Sequence, residues 1–289
     1  MSSELVRELI ASGVHFGHRV SRWNPKMAPY IFGKRNGIHI IDIRETIKGL
    51  LRSKKFLGAM VAQGSDVLLV GTKRQARETV AKQAQRVGMH YVNERWLGGT
   101  LTNFKTIRSR LARLEELESY ETTGRIAALT KKERAMVDRE RKKITRNLDG
   151  IRRMTRLPGV LVVLDVRREY IALKEARKLG IPTICLVDTD SDPDSADIVI
   201  PGNDDAMRAI DIIVTQLADA IEEGKRSRPA PGEGGGDSAG GPGTARPRRS
   251  RRLSTSEIAA MESGSGTATD DAGESGAIAS GAETQVAQS

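Results

Sequence analysis

The chain is poor in cysteine, in aromatic residues and in long apolar runs. A single cysteine, Cys185, stands among 289 residues, so no intrachain disulfide can form and a reducing compartment suits the composition. Phe, Trp and Tyr together make up 3% of the sequence. The longest apolar runs, Val67–Val70 and Val160–Leu164, are strand-sized, whereas a membrane span needs roughly 20 residues. The opening MSSELVRELI has no basic leader followed by an apolar stretch, so no secretory signal is expected. Glycine-rich nucleotide loops of the GxGxxG or Gly-Lys-Ser/Thr type are missing, and no Ser-His-Asp order or carboxylate pair stands out. Residues 225–289 contain no aromatic residue and hold 12 of the 29 glycines. Such a segment cannot bury enough apolar surface to offset its ordering entropy, and a disordered tail is expected there. Its basic cluster, Arg246–Arg252, reads as solvated charge, with a weak RNA contact as the sharper alternative.

What is present is charge, unevenly spread. Lys and Arg number 47 against 37 Asp and Glu, a formal +10. The first 156 residues hold 33 basic and 15 acidic groups, a net +18. Residues 157–224 hold 6 and 14, a net −8, and the tail is balanced. Clustered positive charge suits a polyanionic partner, because neutralising phosphates releases condensed counterions. A soluble cytoplasmic nucleic-acid-binding protein is the expectation.

Short apolar strands alternate with amphipathic helices. Val67–Val70, Met89–Val92, Val160–Leu164, Thr183–Val187 and Asp197–Ile200 read as strands. Arg74–Val87, Glu169–Leu179 and Asp205–Glu223 read as helices. Continuous apolar strands separated by helices predict a mostly parallel sheet covered on both faces, a doubly wound α/β domain. One segment breaks the alternation. Thr102–Glu121 and Thr130–Leu148 are consecutive helical stretches. Ile107, Leu111, Leu114 and Leu117 form a narrow stripe on the first, and Val137, Ile144, Leu148 and Ile151 on the second. Narrow seams with charged opposite faces predict an antiparallel hairpin or short coiled coil. The expected organisation is a discontinuous α/β domain over 1–101 and 151–224, a hairpin insertion over 102–150, and the tail.

Several motifs carry two readings. Gly71-Thr72-Lys73-Arg74 follows a buried strand and opens a helix, the setting of a phosphate site, or of an ordinary βα turn. The run from Asp188 to Asp194 fails the calcium-loop pattern, with Pro193 where glycine is required. A turn rich in Asx caps is the plainer reading, and a weakly held structural magnesium near Asp188 and Asp190 is the functional one. His15 and His18 lack two further ligands with zinc-site spacing. The stretch Val14–Arg44 interleaves His15, His18, Arg19, Arg22, Trp23, Lys26, Tyr30, Lys34, Arg35 and His39. Such a mixture suits irregular RNA, with cations on phosphates and rings on splayed bases. Arg95–Asn103 repeats the theme around Trp96. Trp23 and Trp96 are read as packing residues first, and their basic neighbours as RNA contacts.

These same stretches resemble one family. Gly13-Val14-His15-Phe16-Gly17-His18, Trp23-Asn24-Pro25-Lys26-Met27 and the run from Tyr30 to Asp42 are similar to the opening of bacterial small-subunit ribosomal protein S2, the uS2 family. The likeness continues through Val70–Arg74, Arg95–Asn103, Leu129–Glu133, Leu157-Pro158-Gly159, Gly180-Ile181-Pro182, Val187–Asp194 and Ile200–Ala206, from about residue 3 to 224. The resemblance implies a flavodoxin-like α/β body with an inserted helical hairpin. It implies a place at the junction of head and body of the small subunit, on ribosomal RNA of both. It also implies neighbouring small-subunit proteins as partners and support for recruiting the messenger-binding ribosomal protein S-one. No catalytic activity, small-molecule substrate, membrane partner or required cofactor is implied. The tail is longer and richer in Gly, Ser and Ala than the family pattern.

The RNA-binding candidates are therefore His15, His18, Arg19, Arg22, Trp23, Lys26, Lys34, Arg35, Lys73, Arg74, Arg95, Trp96, Asn103, Lys105 and Arg108. The competing class is an enzyme using a nucleotide or phosphosugar, with its site at the strand ends near Gly71 and Asp188. A third class is a protein-interaction adaptor docking through the acidic block.

Overall fold

The computed structural model describes residues 3–125 and 129–228. The expectations for residues 229–289, including Arg246–Arg252, lie outside the described residues. The chain opens with helix α1 (Ser3–Ala11) and strands β1 (Phe16–Arg19), β2 (Ile31–Arg35) and β3 (Ile38–Ile41). Helix α2 (Ile43–Ala62) leads to β4 (Val67–Val70), α3 (Arg77–Arg86) and β5 (His90–Val92). Helices α4 (Phe104–Thr122) and α5 (Lys131–Leu148) follow without a strand between them. The chain then alternates through β6 (Val160–Val163), α6 (Tyr170–Leu179), β7 (Thr183–Val187), β8 (Ile198–Pro201) and α7 (Met207–Arg226).

Five parallel strands form the main sheet in the order β5-β4-β6-β7-β8. That is the flavodoxin-like order, reversing direction of growth between β4 and β6. Strands β4, β6 and β7 are buried at every position, and their residues divide strictly between two cores, as the two-residue period of a strand requires. Val67, Leu69, Val160, Val162, Ile184 and Leu186 pack with α2, α3 and α7 on one face. Leu68, Val70, Leu161, Val163, Cys185 and Val187 pack on the other with α6 and the hairpin. The hairpin stripe Leu111, Leu114, Leu117, Ile144 and Leu148 belongs to this same apolar cluster. Its base is thus an extension of the sheet's core. Thr130 and Glu133 form a reciprocal capping box that starts α5, satisfying amides that have no partner within the helix.

Several elements depart from expectation, among them α1 and the strands β1, β2 and β3, which the sequence did not announce. Helix α2, 20 residues long, was not foreseen. Asp42 caps it by accepting from Arg44 N at 2.8 Å. The carboxy-terminal helix α7 continues to Arg226, past the point where the tail was expected to begin at 225. Its basic last turn, Lys225 and Arg226, suits a helix carboxy terminus.

The amino-terminal strands form a separate antiparallel sheet of order β1-β3-β2. Asn36 and Gly37 join β2 to β3, both with positive φ (51° and 75°), the conformation of the tightest hairpin turns. Ile31 pairs with Ile41 and Gly33 with Ile40, so Phe32 is an extra residue in a β-bulge.

Candidate nucleic-acid interface

The candidate residues sort into three sets once the fold is known. The first set is exposed and unencumbered. Arg19, Arg22, Lys34, Arg35, Arg74, Arg95 and Lys105 are exposed, and none makes a side-chain ion pair among the described residues. Register places several of these together. Arg19 on β1 and Arg35 on β2 both face Ile38 on β3, while Phe16 and Gly33 both face Ile40. Directly opposed residues share a sheet face, so Arg19, Ile38, Arg35, Phe16 and Ile40 form one surface. Phe16 and Ile38 are partly exposed there, and Phe32, thrown out by the bulge, is 79% exposed. Exposed rings beside unpaired guanidinium groups are what a single-stranded or irregular RNA surface needs. Phe16 and Phe32 were missed among the candidates. The signal available was Asn36-Gly37, which marks a hairpin and hence a two-faced ribbon.

The second set is structural. Trp96 is only 6% exposed, and its Nε1 donates to Glu175 Oε1 at 3.1 Å. The Arg95–Asn103 loop closes over Glu175, whose carboxylate also accepts from Gly99 N (2.7 Å), Leu101 N (2.9 Å), Thr102 N (3.0 Å) and Thr102 Oγ1 (3.2 Å). Burial alone would raise the Glu175 pKa, and the converging donors from Thr102, Gly99, Trp96 and Leu101 overcome it and hold the group below the usual carboxylate range. The loop presents Arg95 outward because its inner side is pinned to this anion. Trp23 is half-buried and stacks on buried His39, ring centroids 4.9 Å apart. His15 is half-buried against Phe16, and burial lowers its pKa. Asn103 precedes α4 and accepts from Thr106 Oγ1 at 2.8 Å. Arg108 donates to Met154 O at 3.1 Å across the hairpin base, its side chain otherwise on an exposed face.

The third set is engaged with carboxylates. Lys26 lies 3.0 Å from Asp192 and 2.7 Å from Asp194. Lys73 Nζ lies 2.7 Å from Asp204 and 2.6 Å from Asp205. His18 Nδ1 lies 3.1 Å from Asp188 Oδ2, and its Nε2 lies 3.3 Å from Asp205 Oδ2. The Asp188 carboxylate, working against burial, holds His18 up at about 9. Asp204, buried and crowded by Asp165 and Asp188, is raised above the carboxylate range. These groups fill the crevice at the carboxyl ends of β4, β6, β7 and β8, where open α/β sheets bind ligands.

That filling answers the phosphate-loop reading. Thr72 N donates to Glu169 at 3.0 Å, and the Lys73 ammonium is spent on two aspartates. A phosphate at this turn would meet Asp165, Glu169 and Asp204 beside an ammonium already paired with aspartates, whereas exposed Arg74 makes no ion pair among the described residues. Asp190 pairs with Arg167 at 2.8 Å, accepts from Ser191, and lines the same cleft as His18, Asp165 and Asp204. The Asx-rich turn is present, with Asp192 accepting from Asp194 N.

The helical hairpin supplies a further basic surface. Arg110, Arg139, Lys142 and Lys143 are exposed and make no ion pair among the described residues. Arg113 is held by Glu116 and Glu140. Among the described residues no helix is long and apolar enough to cross a membrane.

A family model described as Ribosomal protein S2 matches residues 9–224. A protein of Rhodopirellula baltica named small ribosomal subunit protein uS2 is 57% identical over 225 residues, covering 78% of this chain and 86% of its own length. Proteins of the same name from Koribacter versatilis and Acidothermus cellulolyticus are each 51% identical, over 78% and 80% of this chain and 75% and 84% of their own lengths. The chain belongs to the ribosomal protein S2 family, a family of structural constituents of the ribosome and not of enzymes.

Proposed function

We propose that the chain is a structural component of the small ribosomal subunit that grips ribosomal RNA where head and body meet, chiefly through phosphate contacts. The observation that carries this is the surface of Arg19, Arg35 and Phe16 on one face of the small sheet, with Phe32 exposed at the bulge and Lys34 on the same strand opposite His39; none of these cations makes an ion pair among the described residues. Arg74, Arg95, Lys105 and the outer hairpin cations are further exposed groups without an ion pair among the described residues. Uncommitted Arg and Lys groups position a protein on RNA without reading sequence. The acidic carboxy-terminal half of the body opposes this less than its net charge suggests, because several of its loop aspartates pair with Lys26, Lys73, His18 and Arg167. Contact with neighbouring subunit proteins, support for the messenger-binding ribosomal protein S-one and a cytoplasmic, ribosome-bound location belong to the same reading.

Salt dependence tests it. With about six phosphates neutralised, log affinity for small-subunit RNA falls against log salt with a slope near −4, at roughly 0.7 per single-strand contact. Charge reversal of Arg19, Lys34 and Arg35 together flattens the slope by about 2. A slope that is flat for the wild type, or unchanged in the triple variant, refutes the assignment.

A further inference from the structure

The block of the body that carries net negative charge has one basic face. Residues 157–224 hold 6 basic groups. Five of them, Arg167, Arg168, Lys174, Arg177 and Lys178, lie on α6 or immediately before it. All five are exposed, and so are Tyr170 (52%) and Ile171 between them. Positions 167, 170–171, 174 and 177–178 recur at helical spacing and form one outward stripe. Ala172, Leu173 and Ala176 face the core.

The acidic residues of the same segment are withdrawn from that stripe. Glu175 is buried and spent on the Arg95–Asn103 loop. Glu169 is buried and accepts from the amide and the hydroxyl of Thr72. Arg167 pairs with Asp190 at 2.8 Å. Arg168 Nε donates to Thr72 Oγ1 at 2.8 Å, and Arg177 donates to the backbone oxygen of Asp194 at 2.9 Å. Both guanidinium groups are thus positioned without being neutralised. Arg168, Lys174, Arg177 and Lys178 make no ion pair among the described residues. Lys174 Nζ stands 5.2 Å from the centroid of the Tyr170 ring, a cation–π pair that keeps ring and ammonium together one turn apart.

We infer that the outward face of α6 is a second RNA site, which seats a single-stranded segment with one base stacked on Tyr170 and phosphates on Arg168, Lys174 and Lys178. Unneutralised cations around one exposed ring suit a polyanion with planar bases. A protein partner would need an apolar centre to a contact of about 800 Å² per side, and this face offers two apolar side chains among five cations. Lys174 and Lys178 stand about 6 Å apart along the helix axis, within reach of neighbouring phosphates on one strand. Stacking on a ring accepts any base, so the site holds RNA without reading its sequence. The inference rests on the RNA-binding reading above, but not on the small sheet. A cleft of about 180 Å³, lined in part by His18, Arg167 and Asp190, lies between β1 and the start of α6, so the two surfaces take separate stretches of RNA.

The experiment uses the full-length chain and a short uridine-rich single-stranded RNA carrying 4-thiouridine, which cross-links to adjacent side chains on irradiation. Mass spectrometry finds Tyr170 in cross-linked peptides of the wild type. It finds the same in the variant with Arg19, Lys34 and Arg35 reversed to Glu. In that triple background Tyr170→Ala lowers affinity about 5- to 150-fold, the worth of one stacked base, and Tyr170→Phe, which keeps the ring, restores it. Reversing Lys174 and Lys178 to Glu flattens the salt slope by about 1.4. The melting temperature stays the same throughout, because these side chains are exposed. Unchanged affinity in Tyr170→Ala, or cross-links confined to the small sheet, overturns the second site and leaves the small-sheet reading standing. No RNA binding by any form of the chain overturns both. Displacement of the RNA by polyglutamate at equal charge concentration assigns the face to an acidic protein and also overturns the inference.

Discussion

Replacing Glu175 with glutamine tests whether the Arg95–Asn103 loop is held by one buried anion. In the wild type, Oε1 takes two donors, from Trp96 and Gly99, and Oε2 takes three, from Leu101 and from the amide and hydroxyl of Thr102. Glutamine keeps one carbonyl oxygen and offers an NH2 to the other side. That NH2 confronts Leu101 N and Thr102 N, both donors. Leu101 is buried, so its orphaned amide costs about 1–3 kcal/mol. Exposed Thr102 loses less, since water reaches it. The two donors retained on Oε1 fall from charge-assisted to neutral bonds, about 1 kcal/mol each. The total is about 3–5 kcal/mol at neutral pH. For a folded part of this size each kcal/mol corresponds to about 2–4 °C, so the melting temperature drops by roughly 6–20 °C. The pKa of Glu175 is depressed, so its contribution is complete above the unfolded-state value near 4.3 and disappears as pH falls through the lower folded-state value. The gap between wild type and variant must therefore narrow in acid. Thermal melts across a pH series measure both quantities. A variant within about 0.5 kcal/mol of wild type at pH 7, or a gap constant into strong acid, refutes the reasoning.

Two other expectations concern the RNA surface. Phe32→Ala leaves the melting temperature unchanged, because the ring is 79% exposed, and lowers RNA affinity by about 1–3 kcal/mol, the worth of one stacked base; filter binding beside a melt reads both, and equal affinity shows the ring is idle. Reversing Arg110, Arg139, Lys142 and Lys143 to Glu weakens incorporation into small subunits on a sucrose gradient without moving the melting temperature. Reversing Arg113 instead breaks its pairs with Glu116 and Glu140 and lowers the melting temperature, so the two sets are distinguishable by melt.

The parts of the fold visible in the sequence are those whose burial is uniform. Val67–Val70 and Val160–Val163 are apolar throughout because both sheet faces are covered, and they read as strands at once. Helix α2 escaped because its buried stripe runs through Thr46, Gly49 and Ser53 as well as Leu50, Leu57 and Val61, which dilutes the hydrophobic period. The small sheet escaped because bulges in β1 and β2 break the two-residue alternation. At the interface, the supply of cations was legible, but their engagement was not. Lys26 and Lys73 look like Arg19 and Arg74 in sequence, and the carboxylates that occupy them stand more than a hundred residues away. The same distance hid the role of Trp96, whose partner Glu175 lies 79 positions along the chain.

The bulge in β2 makes the ribbon one residue longer than its ladder requires. Ile31, Gly33, Lys34 and Arg35 each have a partner on β3, and Phe32 has none. Deleting Phe32 outright therefore closes the strand into an unbroken ladder with every remaining pair intact. Length changes inside a sheet ordinarily shift register and turn side chains to the wrong face. Here a deletion would preserve both the register and the turn at Asn36-Gly37, and would subtract only a ring held out to solvent.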